Sequence, residues 1–460
     1  MQKTIRKLVV LAAVLALVAA ACGGDDSSDT TATTAGNTTT TAGATTTTAG
    51  GGTDTTAGGG EAMFTELKIG VILPLTGGIA GPGADARESW ELYFDTHGDG
   101  DTITTDNGVR ITYVMEDNAS DPAVALTVAT KLLEVDDVDI VIPGILASTG
   151  TAVGDALGDR TDVLLLSPFS CNDDFTQRAP LEGYARPAGW SCSQTGKAFA
   201  KWAYEEQGFR NIATACTDYT FGYEHCGGFA DAFTQLGGTI TDQIWHPLFN
   251  SDFGTYATQM NALDVDGILG LVVGGSAVPF VTAYSDFGVN TRAPLLAGVT
   301  TLDQSALRGM DKEVALGAIA HSHWSEGADN PSTQQFVADF EAATGKIASY
   351  YAAGNYGVME WIVAATNAID VAADWSPNLM LDTMKDDLVV QTPFGAQEMD
   401  DEGAMVFNVY INEIQEREDG KLWNVPIFTY ENVDQYFGRD RDEYLAQPPY
   451  TKDFQGVGVG

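Results

Sequence analysis

Residues 67–74 read LKIGVILP, an aliphatic and β-branched run closed by Pro74 and then by glycines at 77, 78, 81 and 83. A short apolar run bounded by turn residues is the pattern of a strand covered on both faces. After it, Ala86, Trp90 and Phe94 recur at helical spacing. The alternation then repeats. Residues 109–117 (VRITYVMED) read as a second strand, and Asp121-Pro122 opens a helix with an N-cap acid and a first-turn proline, followed by Val124, Val128 and Leu132 on one face. Strands at 138–142, 163–166, 211–216, 239–245, 268–273 and 294–297 alternate with helices near 194–206, near 227–236 and up to 287. Strands separated by helices of this length imply doubly wound parallel sheets, an α/β fold that binds ligands beyond the carboxyl ends of its strands. The repetition points to two such sheets facing each other, an arrangement shared by binding clamshells and two-domain enzymes.

The 460 residues carry 63 Asp plus Glu against 23 Lys plus Arg, a formal charge of −40. No basic run follows the first seven residues, so a nucleic-acid partner is excluded on electrostatic grounds. Residues 1–21 read as an export signal: Lys3, Arg6 and Lys7 precede an apolar run at 8–18, and three alanines stand before Cys22. That run is too short to span a bilayer, and no later stretch is long enough. The small residues before Cys22 resemble a bacterial lipobox, which implies acylation of Cys22; Ala19 stands where that pattern has Leu, and secretion by cleavage after Ala21 is the alternative. Residues 23–60 are almost entirely Thr, Ala, Gly, Ser and Asp, with nothing large to bury, and are expected to form a disordered tether spanning roughly 35 Å.

Four cysteines remain: Cys171, Cys192, Cys216 and Cys226. An even number in an exported chain predicts two disulfides with three possible connectivities. The local pairing, Cys171 with Cys192 and Cys216 with Cys226, is favoured, each bond contributing about 3 kcal/mol. No CxxC pair occurs. His321 and His323 lack an identifiable third metal ligand and read as a partly exposed strand end. Ser148, in Leu146-Ala147-Ser148-Thr149-Gly150, lacks the first glycine of a nucleophile elbow. The glycines at 77–83 match neither a dinucleotide nor a Walker loop. Neither catalysis, nor a metal, nor any cofactor is expected.

A resemblance unites these features. Pro74-Leu75-Thr76-Gly77, Glu116-Asp117 with Asp121-Pro122, Gly144 with Ser148, Leu166-Ser167-Pro168, Arg186-Pro187, Gln194-Thr195-Gly196, Asp218 with Phe221-Gly222, and Asp252-Phe253 follow in order. Tyr356-Gly357-Val358 and Gly420-Lys421-Leu422-Trp423 complete the series. The chain resembles the leucine/isoleucine/valine-binding family of type I periplasmic binding proteins over about 67–430. The resemblance implies two doubly wound lobes, 67–187 plus 326–393 and 188–325 plus 400–430, joined by three hinge segments. In such lobes the local disulfides staple cleft-edge loops, whereas a Cys171–Cys216 bond would oppose hinge closure. Residues 431–460, rich in Tyr, Pro and Asp, are expected to be an extended tail or a surface wrap.

What the resemblance implies for function is a non-enzymatic receptor. It would be a monomer outside the cytoplasmic membrane, held there only by its N-terminal lipid, delivering a small-molecule ligand to an ABC transporter permease. Ser148 and Thr149 match the family's hydroxyls at a helix start, where they suit a carboxylate or carbonyl. Phe169, Ser170 and Cys171 match the head-group loop, with Cys171 in place of a threonine. Phe221 stands where the family often has Tyr, which keeps an aromatic wall and loses a hydroxyl. Around Thr300, where an acid typically meets the ligand ammonium, only Asp303 is nearby. A branched-chain amino acid, an amide or a related carboxylate are therefore all expected ligands. A sensor of the same fold, or an exported α/β enzyme, is the alternative.

Overall fold

The strand at Glu66–Leu73 sits inside a six-stranded sheet, in a computed structural model that describes residues 64–158, 160–372 and 375–459. The export signal, Cys22 and the tether lie outside the described residues. Sheet order is Thr102–Thr104, Arg110–Asp117, Glu66–Leu73, Ile140–Ile142, Leu164–Leu166, Tyr184–Ala185. Only the first pair is antiparallel. The apolar run is continuous because both faces are covered. Leu67, Ile69 and Val71 pack in the cluster that holds Trp90, Phe94 and Trp361, whereas Ile72 packs in the cluster of Ala129, Leu132 and Val141. Helix Ala80–His97 is tied to helix Tyr350–Ala368 by the Trp90 indole, which donates to Asn355 Oδ1 at 2.9 Å. Residues 331–385 thus return to this first lobe.

The second sheet has seven strands, in the order Leu422–Val433, Phe407–Glu416, Ile319–Ser322, Leu295–Ala297, Gly267–Leu271, Asn211–Thr217, Thr239–His246. Its first three strands pair antiparallel and the rest parallel. The chain passes between the sheets after Ala185, after Ser322 and after the short hairpin of Val390–Thr392 with Gly395–Gln397. The fold is therefore the expected α/β arrangement of two doubly wound lobes. Among the described residues no helix is long and apolar enough to cross a membrane.

Some local expectations change. The helix expected near 227–236 begins a full two turns earlier, as Thr220–Gln235. Gly227-Gly228 looks like a helix start, yet these glycines lie mid-helix because neighbours crowd them: a Cβ at Gly228 would come within 2.6 Å of Ser193 O. His321 and His323 are buried, 1% exposed each, and do not form an exposed strand end. The strand Ile319–Ser322, which carries His321 and ends just before His323, is interior to the sheet, and the rings stack, His321 on Phe199 (4.2 Å between centroids) and His323 on Trp190 (5.2 Å). The disulfides are Cys171–Cys192 and Cys216–Cys226, with Cα separations of 4.8 and 6.7 Å. Residues after Val433 wrap back over both lobes. Arg178 donates to the Gln447 and Tyr444 carbonyls, and Tyr450 donates to Asp231 at 2.8 Å.

Candidate functional site

Five parallel strands end at one place. Ile145, Leu146 and Ala147 follow Ile140–Ile142, and Phe169 and Cys171 follow Leu164–Leu166, all in the first lobe. From the second lobe, Tyr219 and Phe221 follow Asn211–Thr217, Val273 follows Gly267–Leu271, and Thr300 follows Leu295–Ala297. Trp190 from the first crossover and Tyr350 and Tyr351 from a helix start complete a cavity with about 20 Å³ of free space. Residues beyond strand carboxyl ends are where this architecture presents ligands.

Of the residues singled out from sequence, Phe169, Cys171, Phe221 and Thr300 line this cavity. Ser148, Thr149 and Ser170 do not line it. Ser148 is half-buried in the first turn of helix Ala147–Leu157. Thr149 Oγ1 donates to Leu146 O at 2.7 Å, and Ser170 Oγ donates to the same carbonyl at 2.9 Å, so these hydroxyls shape the helix start from behind. Thr300 Oγ1 is engaged with Val272 O at 2.5 Å. Trp190, Tyr219, Tyr350 and Tyr351 were not anticipated. Tyr219 restores, two residues earlier, the phenol that Phe221 was expected to cost.

Arg186 sets the walls. It is fully buried, and its guanidinium donates to the carbonyls of Ser170 (3.2 Å), Trp190 (3.3 Å) and Asn172. The loop that carries Cys171 and the crossover that carries Trp190 are thereby held by one planar fork. The rings interlock, Trp190 edge-on to Phe221 at 5.7 Å and Phe169 against Tyr350 and Tyr351 at 5.6 and 5.2 Å. Burial holds the phenols of Tyr219, Tyr350 and Tyr351 above the usual tyrosine range, so they are neutral hydroxyls at ordinary pH. No lining residue carries a charge. Asp303, the nearest expected acid, lines a separate small cavity. Its Oδ1 accepts from Ser305 N at 2.8 Å and its Oδ2 from Tyr350 N at 3.2 Å, while burial pushes it up to about 7.

The lobes also touch directly. Gly275 N donates to Gly78 O at 3.0 Å, Arg308 pairs with the buried Asp85, and Phe249 packs on Gly78. A larger depression of about 590 Å³ lies elsewhere, between helices Gln194–Glu205 and Thr220–Gln235 and the end of strand Leu422–Val433. It shares no residue with the inter-lobe cavity, and its rim mixes Lys201 and Arg439 with Glu205, Glu431 and Asp434. Unlike that depression, the inter-lobe cavity is built by strand carboxyl ends of both lobes, so lobe movement would open and close it.

A model of the family described as periplasmic binding protein matches residues 66–421. The chain belongs to this family. Its likeness to the leucine/isoleucine/valine-binding branch also holds. A Leu/Ile/Val-binding protein homolog 6 of Brucella melitensis is 24% identical over 369 residues, covering 79% of this chain and 92% of that relative. Among solved structures, a solute-binding protein of an ABC transporter from Rhodopseudomonas palustris BisB5, in complex with 3,4-dihydroxybenzoic acid, superposes with a TM-score of 0.73. It is 23% identical, over 80% of this chain and 98% of that one. The leucine-binding protein LivK of Thermotoga maritima gives 0.67 at 20% identity, over 79% and 99%. At these identities the structural likeness is a likeness of fold.

Proposed function

We propose that this periplasmic binding protein is the extracytoplasmic solute receptor of an ABC importer. It is held to the outer face of the cytoplasmic membrane by a lipid on Cys22 and acts as a monomer that hands its solute to a permease. The observation that carries this reading is the cavity built from the carboxyl ends of strands in both lobes. A solute there touches both lobes only when they are together, so its binding free energy shifts the open–closed population toward closed. We assign lobe one to 67–187 plus 326–393 and lobe two to 188–325 plus 400–430. Phe169, Cys171, Phe221 and Thr300 are walls of the site, while Ser148, Thr149 and Ser170 shape the helix start beside it. Relatives described as ABC transporter solute-binding proteins support the transport role. The test is chemical cross-linking of the tagged full chain in its native membranes. Recovery of an ABC permease is expected; recovery of a signalling kinase with no permease would overturn the importer assignment.

A further inference from the structure

We infer that residues 434–455 are a strap that fastens the two lobes to each other at their crossovers, a non-covalent restraint on opening that is present without solute. The inference rests on the lobe division assigned above. The segment itself lies beyond residue 421, where the match to the family model ends.

The strap is held on both sides of the hinge. Gln435 is fully buried, and its Oε1 accepts from Thr176 Oγ1 (2.9 Å) and Gln177 Nε2 (3.3 Å) of lobe one and from Ser191 Oγ (3.3 Å) beside the first crossover. Its Nε2 donates to Glu402 in the third crossover. Arg178 of lobe one donates from Nε to Gln447 O at 2.8 Å and from Nη2 to Tyr444 O at 3.0 Å. On lobe two, Tyr450 donates to Asp231 at 2.8 Å, Lys452 pairs with Asp218 at 2.6 Å, and Gln455 Nε2 donates to Tyr223 O at 3.0 Å.

Tyr444 is where the two sides meet. It sits on the short helix Arg441–Leu445 and is fully buried, with Arg178 Cζ of lobe one 4.8 Å and Lys197 Nζ of lobe two 4.2 Å from its ring centroid. Lys197 is 1% exposed and has no carboxylate partner among the described residues; the Tyr444 ring and Gln435 O, at 2.7 Å, hold its ammonium. A buried cation stripped of partners is costly, so the strap cannot lift unless water reaches Lys197. While the strap is seated, rotating one lobe against the other must break contacts on one side of Tyr444. The unliganded chain is therefore biased toward closure, and its solute binds more tightly in proportion to the closed fraction.

Two variants of the full chain, both studied without solute, test this. Arg178→Gln removes the lobe-one bonds to the strap and leaves the lobe-two anchors in place; Tyr444→Leu, on the strap itself, keeps an apolar plug and removes the ring. In each, hydrogen exchange of Arg441–Leu445 is expected to rise roughly tenfold, while strands Glu66–Leu73 and Gly267–Leu271 exchange as in the parent. Small-angle scattering is expected to show a larger radius of gyration in both, because the released lobes open. Faster exchange in the strap with an unchanged radius would overturn the inference, as would unchanged exchange in the strap. A larger radius in Arg178→Gln alone would also overturn it, since Arg178 would then act through its own loop. Should one variant not fold, the other decides. Because no solute is present, each of these results leaves the receptor reading standing.

Discussion

Gly78 shows how much one missing side chain can decide. A Cβ there would come within 2.4 Å of the Phe249 ring from the other lobe, so the lobes approach only because this position is glycine. Gly78→Ala is expected to hold the lobes apart, weakening solute binding roughly tenfold while leaving thermal stability of the unliganded chain little changed; calorimetry and melting curves check both. His323 makes a different point. Its ring is enclosed by Trp190, Tyr350, Phe394 and Phe407, both nitrogens lack partners among the described residues, and burial pushes it down to about 3. The unfolded chain takes up that proton near pH 6.5 and the folded chain does not, so this group's contribution is lost as pH falls below about 6.5. His323→Phe removes the penalty: relative to the parent, the variant should gain about 2 kcal/mol between pH 6.5 and 5, read from urea midpoints. Phe169, Cys171, Phe221 and Thr300 were legible because they stand in loops after recognisable strands. Trp190 and the three tyrosines were not, because in a chain with 10% aromatic residues most rings fill cores, and only the three-dimensional meeting of strand ends separates a wall from a core.

Among the elements, the first helix acts as part of a latch. Asp85, on the first two turns of Ala80–His97, is almost fully buried, and burial outweighs the Arg308 guanidinium to hold its carboxyl above the usual range. Arg308 follows the short helix Gln304–Leu307 of the other lobe, so the pair exists only when the lobes are together. Asp85→Asn should favour opening: a larger radius by small-angle scattering and solute binding weaker by roughly three- to tenfold. An unchanged radius would mean that Asp85 serves only its own lobe, through Lys346 at 3.8 Å. The Cys171–Cys192 bond closes a separation of 21 residues across the first crossover. Replacing both cysteines by serine should cost about 3 kcal/mol in urea unfolding and loosen the loop that carries Phe169. Most strands were visible from apolar runs within a residue or two. Helix Thr220–Gln235 was misjudged at its start because a Gly-Gly pair breaks a helix on propensity alone, whereas here tertiary crowding demands it.

At the scale of the molecule, alternating strand and helix patterns were enough to give the fold class, and the ordered series of short motifs extended it to two lobes. The register of the sheets and the burial of His321 and His323 were beyond sequence because they depend on which strands become interior. The chain carries a charge of −40, yet the cavity lining is neutral. That contrast matters for selection. A neutral, donor-rich cavity within an acidic protein discriminates by the groups it leaves without partners rather than by overall attraction. Closure then depends on contacts that both lobes make to one small molecule.

The central claim, that this chain binds a solute between its lobes and leaves it unchanged, is tested most directly by one structure. The full chain would be crystallised with the solute giving the largest thermal shift, which at 100 times its dissociation constant should stabilise the protein by about 2.7 kcal/mol. The account predicts density for an intact solute enclosed by Trp190, Phe221 and Tyr350 with the lobes closed. Density only in the depression beside Lys201 and Tyr430, or a chemically altered solute in the cavity, would contradict it.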